Sequence, residues 1–155
     1  MIQSKKEDPV VEIALATSRY QNYQAIEASG LLPVSTSRGR PRWKLPYRLH
    51  AVIAPLVPSR EIFSIEDEMQ FDVAYRTQLD ATGIEFIRDH LEQVNESGDH
   101  RGLVLLCFEN TADLGQFSCH RRTFARWWQE QCGQEVPELP STVVARQKAL
   151  RRSNI

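Results

Sequence analysis

The sequence predicts an α/β fold on a mainly parallel sheet, and three observations predict it. Residues 10–16 (VVEIALA) and 102–108 (GLVLLCF) are nearly continuous apolar runs, the composition of strands buried on both faces. These strand-like runs alternate with segments whose apolar residues recur at helical spacing. Gly30, Gly83, Gly98 and Gly133 stand where those helical segments should end. With 155 residues, 41% hydrophobic and 25% charged, the chain suits a single domain with its own core. The same numbers exclude a collagen-like repeat, a coiled coil and general disorder. No run approaches the ~20 apolar residues of a membrane-spanning helix.

Residues 1–9 are polar, end at Pro9 and read as a flexible start; they lack the apolar stretch of a signal peptide. A single domain is expected over 10–139. After the first strand, Asn22 is placed to cap a helix running to Ser29. Residues 31–35 (LLPVS) read as a second strand, and Pro33 argues for an edge or a bulge. Residues 36–46 contain Gly39, Pro41 and Pro46 without periodicity and read as a loop. Residues 50–58, broken by Pro55 and Pro58, read as a short helix or irregular segment. A helix over 66–82 carries Phe71, Ala74, Tyr75 and Leu79 on one stripe, and a second places Ile84, Ile87, Leu91 and Val94 on one face. The 102–108 strand is the clearest in the chain. A loop over 109–118 leads to a helix over about 119–131 with Phe124, Trp127 and Trp128 facing inward. A short strand is expected at 136–139, then a basic tail over 140–155.

Charge is uneven along a chain whose net charge is only -1. No acid falls between Glu27 and Glu61, where Arg38, Arg40, Arg42, Lys44, Arg48 and Arg60 lie; acids then dominate as far as Asp99. A solvated face is one account of such runs; a local anion-binding surface is the other. In parallel α/β sheets, ligands sit at the strand carboxyl ends, near a switch in strand order. The segments leaving those ends should therefore supply the site: Thr17, Ser18 and Arg19; Thr36, Ser37, Arg38, Arg40, Arg42 and Trp43; and Glu109 with Cys119, His120 and Arg121. Hydroxyls beside guanidinium groups suit a phosphate or other oxyanion. Trp43 could stack a base or simply pack its loop.

Cys119 begins the last helix, where free N–H groups and adjacent cations favour a thiolate. Cys119 as nucleophile, with His120 or Glu109 moving protons, is the catalytic reading. The plain alternative is a structural histidine and a passive cysteine, because helical geometry puts His120 and Arg121 on the buried side and Cys119 opposite. Glu109 has a second role open to it, pinning Arg19 or Arg121. The arginine of a phosphatase loop is missing, since Ala125 and Asp113 stand where it should follow Cys119 and Cys107. No Gly-rich or lysine-bearing phosphate loop is present. Three widely spaced cysteines argue against a disulfide framework and for a reducing, cytoplasmic setting. Cys107, Cys119, His120 and Cys132 contain no ligand pair at zinc-site spacing, so no metal or other cofactor is expected.

The Thr17-Ser18-Arg19-Tyr20 strand end and the 36–43 loop (TSRGRPRW) resemble the shorter members of the family catalogued as domain of unknown function 488. The match extends to Leu105-Leu106-Cys107-Phe108-Glu109 followed by Cys119-His120-Arg121. The resemblance implies a Rossmann-like α/β domain with the two cysteine motifs together at the strand ends, and it implies no reaction. The expectation that follows is a cytoplasmic protein binding a phosphate-bearing small molecule or nucleic acid, with no membrane association. The alternatives are a protein-docking module without catalysis and direct nucleic-acid binding by the basic loop and tail.

Overall fold

The computed structural model describes residues 12–108 and 119–141. The N-terminal segment expected to be flexible, Glu109 and most of the basic tail lie outside them. Strands β1 (Leu15–Arg19), β2 (Leu32–Ser35), β3 (Ala51–Val52) and β4 (Leu103–Cys107) form one sheet in the order β1-β4-β2-β3, with every pair parallel. Helices α1 (Tyr23–Ser29), α2 (Arg60–Phe63), α3 (Glu68–Thr82), α4 (Ile84–Ser97) and α5 (His120–Cys132) complete a Rossmann-like α/β architecture, the class the sequence predicts. No helix among the described residues is long and apolar enough to cross a membrane.

The alternation of the strands divides the core. Leu15, Leu32, Val34, Leu103 and Leu105 point to one face, where Tyr75, Leu79, Ile87, Leu91, Phe124, Trp127 and Trp128 of α3, α4 and α5 cover them. Ala16, Tyr20, Val104 and Leu106 point to the other, against Ile26 of α1 and the loop residues Leu45, Tyr47 and Leu49. All five residues of β4 are buried, because both of its faces are covered and both of its edges are paired.

Four expectations about elements are corrected. The first strand starts at Leu15, so Thr17, Ser18 and Arg19 are strand residues opposite Leu105, Leu106 and Cys107 rather than a loop beyond the strand. Apolar content marks what is buried; the partner strand decides what is paired. Pro33 lies in an inner strand. It is tolerated there because β3 pairs only with Val34 and Ser35, while the Pro33 carbonyl still accepts the His50 N–H at 2.8 Å. Residues 50–58 hold the expected short helix, a 3-10 turn at Ala54–Leu56, but open with β3, which was not expected. The strand expected at 136–139 is a single parallel bridge, Thr17 to Glu138, beyond β1.

Candidate functional site

The carboxyl ends of β1, β2 and β4 meet the start of α5. Cys107 is the last residue of β4, Cys119 is the extended N-cap residue of α5, and His120 is its first helical residue. All three are buried, and the Cys107 and Cys119 sulfurs are joined as a disulfide across a Cα separation of 7.6 Å. A ring nitrogen of His120 lies within 4.8 Å of both sulfurs. His120 Nε2 is 2.8 Å from the Thr36 carbonyl and 3.1 Å from the Thr36 hydroxyl oxygen. Donation to that carbonyl places the proton on Nε2 and leaves Nδ1 with the lone pair. Burial pushes the His120 pKa down to about 4, so the ring is neutral at pH 7.

Arg121 braces this group. Its Nη1 donates to Cys107 Sγ at 3.0 Å, while Nε and Nη2 grip Glu138 at 2.9 and 2.7 Å. Glu138 also accepts the Thr17 hydroxyl at 2.7 Å, and Arg122 donates to Thr17 Oγ1 at 2.8 Å. A second polar cluster lies beside the first: Tyr20 Oη is 2.6 Å from both Ser35 Oγ and Ser37 Oγ.

Several expected ligand groups are thus occupied internally. Arg121, read as an anion holder, is 1% exposed and ion-paired with Glu138. Thr17 bonds Glu138, Ser18 accepts from Asn22 at 2.9 Å, Thr36 donates to Leu106 O at 3.0 Å, and Ser37 donates to Gly39 O at 2.6 Å. Arg19 reaches Gln21 at 3.3 Å, while its buried Nε has no hydrogen-bond partner among the described residues. The nucleophile reading of Cys119 does not hold for the bonded form, because a disulfide sulfur carries no thiolate. Cys119 is buried with His120 and Arg121 rather than opposite them, since an N-cap residue lies outside the helical repeat. The cysteine count argued against a disulfide framework, and the structure joins one pair, Cys107 with Cys119. Glu138 escaped the sequence reading; the two cysteine motifs lie together at the strand ends, as the resemblance implies, and only the bond between their sulfurs was not expected. Glu138 is brought to Arg121 by its bridge to Thr17, and no local spacing signals that contact.

The basic loop residues remain at the surface. Arg38, Arg40, Arg42 and Trp43 are exposed, and Trp43 packs edge-on against Phe108, which packs in the same way on Tyr20. A cleft of about 470 Å³ opens along this loop, lined by Arg40, Trp43, Tyr47, Arg48 and His50 among others. Its His50 wall adjoins the start of β3 and bonds Ser97 at 2.8 Å, so the cleft runs along the loop instead of capping the strand ends. Arg40, Arg42, Lys44 and Arg48 form no ion pair among the described residues. No family model, curated protein or solved structure matches the chain.

Proposed function

We propose that this protein binds a phosphate-bearing ligand in the cleft of the 36–50 loop. The observation that carries the reading is the cleft itself. Arg40, Arg48 and His50 line it together with the half-exposed ring of Trp43, and all four come from the acid-free stretch. Guanidinium forks match phosphate oxygens in pairs, and an exposed indole face accepts a base or sugar ring. The loop is anchored where such a site needs stiffness: Ser37 bonds Gly39, and the Tyr47 hydroxyl donates to Tyr20 O at 2.7 Å. Of the residues read from the sequence, Arg40 and Trp43 belong to this site; Arg38 and Arg42 extend its positive surface.

A thermal-shift titration with inorganic phosphate, nucleotides, sugar phosphates and short oligonucleotides tests this. A ligand at 100 times its Kd stabilises by about 2.7 kcal/mol, or roughly 5–11 °C in Tm at this chain length. Arg48→Ala should abolish the shift for every phosphate ligand. Trp43→Ala should weaken only ligands that carry a ring. A flat response across the series overturns the proposal. A shift confined to oligonucleotides that falls steeply with salt would assign the cleft to nucleic acid.

A further inference from the structure

We propose that, with both thiols reduced, Cys107, Cys119 and His120 form a zinc site at the carboxyl end of the sheet. The geometry comes first. Their ligand atoms lie within 4.8 Å of one another. Tetrahedral zinc with Zn–S bonds of about 2.3 Å sets its sulfurs roughly 3.8 Å apart, a separation the joined sulfurs reach only after reduction. The 7.6 Å between the Cys107 and Cys119 Cα atoms exceeds the ~4.4–6.8 Å that disulfides usually span, so once the bond is reduced the sulfurs can part to admit an ion without the backbones moving closer.

The donor set comes second. Two thiolates and a neutral imidazole select a zinc-like ion over magnesium or calcium. Three protein ligands leave a fourth position for water or a substrate atom.

The surroundings come third. A metal-bound histidine usually donates its other N–H to a carbonyl or carboxylate, and His120 Nε2 meets Thr36 O at 2.8 Å, leaving Nδ1 for the ion. Arg121 donates to Cys107 Sγ, a contact that favours the thiolate. Two thiolates balance the charge of Zn²⁺, and Arg121 is paired with Glu138. Binding releases one proton from each thiol as the two Zn–S bonds form. The disulfide and the metal exclude each other. Passing from the first to the second requires two electrons and two protons, and in the experiment a phosphine supplies the electrons as it becomes its oxide.

The full chain is reduced with phosphine under anaerobic conditions, freed of reductant and titrated with Co²⁺, then Zn²⁺. The expected result is a thiolate-to-cobalt charge-transfer band that saturates at one ion per chain and is lost as zinc replaces cobalt. Cys107→Ser, Cys119→Ser and His120→Ala should each weaken binding by at least about tenfold. Cys132→Ser, which alters the free cysteine, should leave it unchanged. A reduced, folded wild-type chain without the band overturns the proposal, and so does a band that survives in both serine variants. A second measurement needs no variant: zinc should slow alkylation of Cys107 and Cys119 but not of Cys132, and equal slowing of none or of all three contradicts the assignment.

Discussion

Arg121 shows how far one buried cation can govern its neighbourhood. Its side chain is 1% exposed, and its guanidinium fork holds the Glu138 carboxylate, which is 25% exposed. Removing one member of a buried pair typically costs about 3–5 kcal/mol; the partial exposure of Glu138 lowers that, because water can solvate the abandoned carboxylate. Arg121→Ala should therefore destabilise by about 2–4 kcal/mol in urea unfolding. Glu138→Gln should also destabilise, since it removes the charge that the fully buried guanidinium grips through two hydrogen bonds. Near-wild-type stability in Arg121→Ala would show that the pair contributes little net energy. At this scale the sequence was legible in part. It marked Arg121 as special and placed it on the buried side of its helix. The helix turns Arg121 towards Glu138, which reaches it through the bridge to Thr17, and the residue becomes a brace instead of an anion holder.

Among the elements, legibility followed how much of each was fixed by its own residues. Helices α3, α4 and α5 came from periodicity and a following glycine, and β4 from its continuous apolar run. β1 shifted because its ends are set by pairing with β4, and β3 was hidden because two residues cannot display a period. The glycines also separate by element. Gly102 opens β4 at φ +87°, and a Cβ there would lie 2.7 Å from the Ala14 carbonyl, a backbone atom of the neighbouring segment. Gly133 ends α5 at φ +83° with nothing among the described residues within 4 Å of such a Cβ. Gly133→Ala should thus cost about 1–2 kcal/mol, the left-handed backbone alone. Gly102→Ala adds a collision at the β1–β4 seam and should cost more, about 3 kcal/mol or above. Chemical unfolding of the two variants compares them directly, and equal losses would mean that the seam yields without cost.

For the molecule as a whole, two tyrosine hydroxyls couple both layers of the core to alkaline pH. Tyr75 on α3 donates to Leu56 O at 2.7 Å on one face of the sheet, and Tyr47 donates to Tyr20 O at 2.7 Å on the other. Burial raises both pKa values, with the neighbouring Tyr20 and Tyr23 adding to the shift at Tyr47. In the unfolded chain both hydroxyls lose their protons near pH 10. The folded state holds those protons longer, so the unfolded state binds fewer of them at high pH and stability falls as pH rises. The stabilisation is complete below about pH 10 and is lost progressively above it. For the fully buried Tyr75 the slope approaches about 1.4 kcal/mol per pH unit; half-exposed Tyr47 contributes less. Urea midpoints measured from pH 8 to pH 11 should fall only in the upper part of that range. Tyr75→Phe should flatten the fall more than Tyr47→Phe, because only its hydroxyl is sealed from water. An unchanged slope in Tyr75→Phe would assign alkaline sensitivity to other groups and leave the α3 layer uncoupled from proton binding.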